Sequence, residues 1–387
     1  MELKIGYNCI KLKGSHVGIL LHHMVLFHRR GQDRMVHGKK VKGKEILSYS
    51  IGGLLYMPAV RTDIAEVICT KKYEGLSSVC ICLEDSIADS SLALAEKQLV
   101  ETLTEISSNV SAKDTDFSLM DLPLIFVRVR NEKHLRDMHS LLNFGVPGYS
   151  QIVCGYVLPK FDTTNMVAYL KVADDINRGR NEGNYMYMLP IFETKQIIDM
   201  RTSIVCLGQL KEELDKRDYI LGIRTGGNDF SNLYGIRRSV DQTIYDNRII
   251  GNALCNIMNI FGRRYVISGP VWEYFDTGDG NAWKEGLKNE LDKDRINGFI
   301  GKTVIHPSQL LPVRDSLTVS RCDYEDAVSV LQDNDEKFGV HKSQAGRMNE
   351  TKTHQNWAKK ILVLAKVWGI GQDTGQKGGC AAASHVF

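Results

Sequence analysis

Tyr185–Thr194 reads YMYMLPIFET and Ser78–Asp85 reads SVCICLED. Each is a nearly unbroken apolar run that stops on carboxylates, Glu193 in the first and Glu84-Asp85 in the second. A strand with one wet face alternates apolar and polar residues, whereas a continuous apolar run fits a parallel strand covered on both sides. Six further runs read the same way: Gly53–Ala59, Pro123–Arg130, Gly155–Phe161, Tyr219–Asp229, Tyr265–Trp272 and Lys302–Gln309. The intervening segments have helix length. Ala88–Glu105 is one helix, with Leu92, Leu94, Leu99 and Leu103 on or near one stripe, and Thr194–Leu210 is another. Strand and helix alternating eight times predict a single α/β unit, a (β/α)₈ TIM barrel, over an open doubly wound sheet.

The barrel reading covers residues 47–320 and leaves segments on both sides. Asp323–Asp333 and Thr353–Val367 read as helices joined by a polar connector, giving a C-terminal helical extension over 321–370. The Gly/Ala-rich tail, 371–387, is expected to fray. Residues 1–46 form a basic N-terminal extension. Its first 45 residues hold ten Lys/Arg against Glu2, Asp33 and Glu45, a net +7 in a chain whose formal charge is +3. We read it as a solvated extension, with no nucleic-acid partner. No apolar run reaches the roughly 20 residues of a membrane span. The nine cysteines are scattered singly without a Cys-x-x-Cys pair, which suggests reduced thiols and a cytoplasmic protein.

The strand ends carry the chemistry. Glu84-Asp85, Arg128-x-Arg130, Pro159-Lys160, Glu193-Thr194, Gly226-Gly227-Asn228-Asp229 and His306-Pro307-Ser308-Gln309 all fall at C-terminal ends of expected strands. In a TIM barrel that face holds the active site. Glu84, Asp85, Glu193 and Asp229 form a strongly acidic set, and oxygen ligands without His or Cys favour Mg²⁺, with Mn²⁺ a second choice, over zinc. A chelated keto or carboxylate oxygen turns electrophilic, and Arg128 offers a planar fork for a carboxylate or enolate oxygen. The competing reading is a salt-bridge network of these acids with Arg61, Arg128, Arg130 and Lys160. His306 reads as a hydrogen-bonded structural residue. Gly226-Gly227 lacks the spacing of a dinucleotide loop, so conformational freedom and close approach to the acids explain it better.

Several short elements resemble one family in order. They are Leu55–Arg61 (LYMPAVR), Leu83–Ala88 (LEDSIA), Val127-Arg128-Val129, Val157–Lys160 (VLPK), Phe192-Glu193-Thr194, Gly226–Gly235 (GGNDFSNLYG), Ile305–Gln309 (IHPSQ) and Gly346–Glu350 (GRMNE). Together they resemble the HpcH/HpaI aldolase/citrate lyase family of carbon–carbon bond lyases, over roughly residues 53–368. The resemblance implies Glu193 and Asp229 as metal ligands, with Glu84 and Asp85 acting near the metal through its waters. It implies Arg128 as the residue that binds substrate and stabilises an enolate. Arg61, Asn228 and Lys160 are the further substrate-binding candidates. It also implies that Glu350, in the C-terminal segment, reaches a neighbouring subunit's barrel, so the unit is a homo-oligomer, a trimer or a pair of trimers. The expected substrate is a β-hydroxy acid or its CoA thioester, with a keto acid as partner. A CoA-independent pyruvate-type aldolase and a catalytically degraded barrel with an interaction or regulatory role are the alternatives. Three positions depart from the family pattern: Arg130 replaces its usual Asn, Asn228 its frequent Glu, and Glu350 its Asp.

Overall fold

The computed structural model describes residues 25–26, 34–36, 39–41, 43–112, 117, 119, 121–332, 339–343 and 346–371. Eight parallel strands form the centre: β1 (Gly53–Pro58), β2 (Ser78–Cys82), β3 (Leu124–Arg128), β4 (Val153–Leu158), β5 (Tyr187–Phe192), β6 (Ile223–Thr225), β7 (Ile267–Ser268) and β8 (Lys302–Val304). Each pairs with the next, β8 pairs with β1, and a parallel bridge from Gly269 to Lys302 closes the ring. The expected TIM barrel is the fold.

The apolar runs work by alternation. Leu54, Cys80, Leu124, Phe126, Leu189 and Ile191 fill the barrel interior. Their chain neighbours Leu55, Val79, Ile81, Ile125 and Val127, and Met57 further along β1, face the surrounding helices. Both faces of each early strand are thereby dry, which is why five strands are buried almost throughout. The expected stripe of the first long helix shifts by one position. The helix Leu92–Ser111 buries Ala95, Leu99, Leu103 and Ile106, whereas Leu94 is 60 % exposed.

Strands β6, β7 and β8 are shorter than the sequence suggests. Gly227 already opens the helix Gly227–Leu233, Pro270 follows β7 closely, and His306-Pro307 starts a turn of 3₁₀ helix. The helix expected over Thr194–Leu210 is two pieces, Lys195–Ile198 and Ser203–Leu214. Between them the Asp199 carboxylate accepts from the backbone and guanidinium of Arg201, a local turn that competes with the helix.

The helix Lys44–Tyr49 covers the far end of the barrel, with Leu47 and Ile51 against the interior cluster. Ahead of it, Val25–Leu26, Arg34–Val36 and Lys39–Val41 pair as a small antiparallel sheet within the basic segment. The helices Arg321–Gln332 and Gln355–Trp368 pack on each other through Ala327, Val330, Ala358, Ile361 and Leu362. The second helix turns Leu364 and Trp368 to the barrel core, and Trp368 Nε1 donates to Tyr49 O at 3.0 Å. Its apolar face therefore has partners within the chain and does not by itself call for a neighbour's surface. The described cysteines are all free, and among described residues no helix is long and apolar enough to cross a membrane. The tail beyond residue 371 lies outside the described residues.

Candidate active site at the strand-end rim

The barrel's carboxyl end opens into a cavity of about 410 Å³ that Asp85, Arg128, Glu193, Asn228 and Asp229 all line. The parallel register aligns the strand ends that carry them: Cys82 opposite Arg128, and Phe192 opposite Thr225. Glu193 follows β5 directly and is 4 % exposed. Its Oε1 accepts from the Lys160 backbone N–H at 2.8 Å and from Arg128 Nη2 at 3.4 Å. Lys160 reaches that position with φ at 50°, a left-handed conformation that non-glycine residues seldom adopt and that concentrates at functional sites.

Burial pushes the Glu193 carboxyl up to about 8; Arg128 opposes the shift, and the Asp229 carboxylate in hydrogen-bonding contact adds to it. Two carboxylates approach this closely only when they share a proton or a cation. Gly226 makes the approach possible. A Cβ there would lie 2.4 Å from Glu193 Oε2, so the glycine is needed for space. Its φ of −105° needs no special freedom, contrary to half of the expectation.

Arg128 is the hub. Its Nη2 contacts Glu84 at 2.8 Å, Asp85 at 3.1 Å and Glu193 at 3.4 Å. Nε is buried without an acceptor, and Nη1 has no protein partner among the described contacts. The cation is held firmly: burial works against it, but Glu193, Tyr56 and Glu84 outweigh that. Burial also raises the Glu84 carboxyl despite Arg128 and Lys160. Asp85 is more open, and the hydrogen bond with Glu84 together with Arg128 and Lys160 keeps it below its ordinary value in spite of desolvation.

The candidates do not all converge. Lys160 Nζ pairs with Glu84 and, at 3.0 Å, with Asp85, so part of the expected salt-bridge network exists. Glu84 and Lys160 stand outside the residues lining the cavity and hold Asp85 and Arg128 in place. Arg61 is tied to Asp63 at 2.7 Å. Arg130 is spent on Asp89 and the carbonyls of Leu83 and Ile87. Neither lines the cavity. His306 is structural as expected: its Nδ1 meets Ser308 Oγ at 2.9 Å and its ring stacks on Phe275. Glu350 lies in a hairpin, Val340–Lys342 with Met348–Glu350, and accepts from Thr353 Oγ1 at 2.7 Å. Arg224, Tyr56 and Thr303 line the cavity without having been singled out. The available signal was an arginine in the middle of a strand otherwise fit for burial.

Among the described residues no cluster of three or more His, Cys, Asp or Glu forms a metal cage. Two carboxylates suit Mg²⁺ nevertheless, because it retains water and fills its remaining positions with substrate oxygens. Glu193 and Asp229, side by side on the cavity wall, are the carboxylates that would hold such a cation.

A closed parallel barrel whose strand-end acids surround one arginine defines a class of barrel-rim enzymes. A family of carbon–carbon bond lyases of the TIM-barrel fold matches residues 45–370. The chain belongs to that family, as the resemblance read in its motifs had suggested. Among solved structures, the CitE protein of Mycobacterium tuberculosis, in complex with magnesium, acetoacetate and coenzyme A, matches with a TM-score of 0.54 at 20 % identity, covering 81 % of this chain and 97 % of that one. A malate synthase of Haloferax volcanii matches with a TM-score of 0.50 at 16 % identity, covering 68 % and 73 %. No curated protein matches in sequence.

Proposed function

We propose that the chain is a Mg²⁺-dependent lyase or aldolase that breaks, or makes, a carbon–carbon bond beside a carbonyl in a β-hydroxy acid or its CoA thioester. The Glu193–Asp229 contact, with Glu193 driven up to about 8, carries this reading. A cation held by these two carboxylates would supply Lewis-acid polarisation of a keto or carboxylate oxygen. Arg128 does the rest of the electrostatic work. Bond cleavage leaves an electron pair on the carbon next to the carbonyl, and the charge delocalises onto the enolate oxygen. The unpartnered Nη1 and Nε donors of Arg128 are fixed in advance for that oxygen, since Glu84, Asp85 and Glu193 already hold Nη2. Asp85, kept ionised at the cavity wall, serves as the base nearest to hand for a substrate hydroxyl.

The proton returned to the enolate carbon comes, in this proposal, from Glu350 of a neighbouring subunit. Its own side-chain contact is with Thr353 and not with the rim of its own barrel. A homo-oligomer is then the functional unit, and the CoA complex of the mycobacterial relative supports a thioester substrate. One experiment tests both parts. Asp229→Asn should keep the fold and lose most Mg²⁺ affinity by calorimetry, and Glu350→Gln should bind metal yet be inactive. Mixing the two should restore part of the turnover. Unchanged metal binding in Asp229→Asn refutes the site, and absence of complementation despite proven subunit exchange refutes sharing.

A further inference from the structure

Arg224 sits within β6 at 1 % exposure, yet it lines the rim cavity. Its one hydrogen bond runs from Nη2 to Thr303 Oγ1 at 2.7 Å. Its Nε–H is buried with no acceptor, and among the described residues no carboxylate pairs with it. A guanidinium has five N–H donors, so most of this one is unused. The Tyr56 ring lies 5.9 Å from its Cζ. That contact softens the loss of water but does not neutralise the charge.

Arg128 shows what a balanced arginine looks like in the same cavity, with three carboxylates on Nη2. A dehydrated cation without a counter-ion is unfavourable, and an apolar side chain of similar size would fold more easily. The missing anion must then come from whatever fills the cavity. Position narrows its nature. Arg224 lies opposite Ile191 on β5, two residues before Glu193, which is about 6–7 Å deeper at roughly 3.3 Å per residue. That depth matches the reach of a four- or five-carbon chain.

We infer that Arg224 is a subsite for a second carboxylate, and that the substrate's keto-acid half is a dicarboxylate. This rests on the lyase reading: one end meets Arg128 and the Glu193–Asp229 pair, and the far carboxylate takes the free donors of Arg224. Thr303 positions the guanidinium. A monocarboxylate leaves the arginine unpaired and is rejected on that account.

Calorimetry on the full chain in excess Mg²⁺ tests this with two matched pairs, freshly dissolved oxaloacetate against 2-oxobutyrate, and 2-oxoglutarate against 2-oxopentanoate. In each pair a methyl replaces the far carboxylate. The wild type should bind at least one diacid ~100-fold or more tightly than its monoacid partner, because a buried donor set left unpaired discriminates strongly. Arg224→Met should shrink that ratio to within about threefold while Mg²⁺ and monoacid binding persist. Arg224→Lys should restore part of it. Equal binding of diacid and monoacid by the wild type overturns the inference, and this comparison needs no variant to fold. An equal loss of both ligands in Arg224→Met overturns it too, making Arg224 structural. Binding of Mg²⁺ but of none of the four acids overturns the lyase reading and this subsite with it.

Discussion

Two clusters of charge lie on this barrel, one sealed and one partly open, and they are built to opposite specifications. One is the rim set of Glu84, Asp85, Arg128, Lys160, Glu193 and Asp229. The other is in the barrel wall, where Lys302 meets Glu290 at 2.9 Å and Asp294 at 2.7 Å, and Arg238 meets Glu290 at 3.4 Å. In the wall two cations face two acids. Lys302 and Glu290 are fully buried, Ile244 N–H donates to Glu290 Oε2 at 2.9 Å, and none of the four lines the rim cavity. At the rim Asp85, Glu193 and Asp229 adjoin open space, the last two lie side by side, and one cation nearby, Arg224, has no acid at all. A set whose cations and acids are matched in charge holds a fold together, even where Arg238 Nε and Nη1 and Glu290 Oε1 make no hydrogen bond. A set that leaves charges unmatched beside a cavity is waiting for a ligand.

The comparison breaks first at Lys302. Lys302→Met leaves Asp294 dehydrated without its cation and Glu290 with Arg238 alone, a kind of change that costs about 3–5 kcal/mol. Denaturant unfolding should show that loss, while Mg²⁺ affinity per folded molecule stays within about twofold. If Lys302→Met is as stable as the wild type but loses metal, the wall belongs to the site and the distinction fails.

Arg128→Lys is the matching change at the rim. It keeps a charge near Glu84 and Glu193 but loses the planar donors that face the cavity. Keto-acid binding or turnover should fall about 100-fold, the scale of losing one preorganised donor to an oxyanion, with stability within about 1 kcal/mol. Near-normal ligand binding together with a large stability loss would turn Arg128 into a second Lys302.

Much of this division was legible in the sequence, for physical reasons. Apolar runs ending in Glu84-Asp85 and Glu193 exposed both the strands and the rim, because a strand dry on both faces cannot hide a carboxylate before its end. The wall cluster left a fainter trace. Glu290 and Asp294 lie four apart on the helix Ala282–Ile296, on the same buried face as Leu287 and Leu291, and Lys302 opens an apolar strand. Such acids on an apolar stripe read as surface residues until a partner is found on another element. Arg224 was missed for a similar reason: that it lacks a partner is a property of the fold, not of the segment YILGIRTGGND. The Lys195–Ile198 break escaped because the Asp199 turn is decided by side-chain hydrogen bonds that periodicity does not register.

Acidity offers a subtler separation. Glu193 holds its proton up to about 8 in the metal-free fold, mainly through burial, and releases it near the ordinary 4.5 when unfolded. The folded state therefore binds the extra proton in that window. Its contribution to stability is complete below about 4.5 and is lost as pH rises through about 8. Mg²⁺ at the proposed site would have to displace the same proton, so its affinity should climb about tenfold per pH unit up to about 8 and then level off. Calorimetry across pH 6–9 checks the slope, and a flat profile would mean that Glu193 is not protonated where a cation binds.

Arg61 sets the lower bound of the comparison. The family resemblance marked it as a substrate contact, yet Nε and Nη2 grip Asp63 at 2.9 and 2.7 Å. Both partners are about one-third exposed, at 36 % for each side chain, and the residue does not line the cavity. It is thus a third kind of charge, neither sealed in the wall nor left unmatched at the site. Water and salt screen such a pair, whose usual worth is about 0–1 kcal/mol. Arg61→Ala should accordingly lower stability by no more than about 1 kcal/mol in denaturant unfolding, and keto-acid and Mg²⁺ affinities should stay within about twofold. A loss of about tenfold or more in keto-acid binding, with metal binding intact, would show that Arg61 leaves Asp63 when the substrate arrives. The boundary between matched and unmatched charge would then move with the ligand, and the rim would have to be described as a set that changes partners on binding.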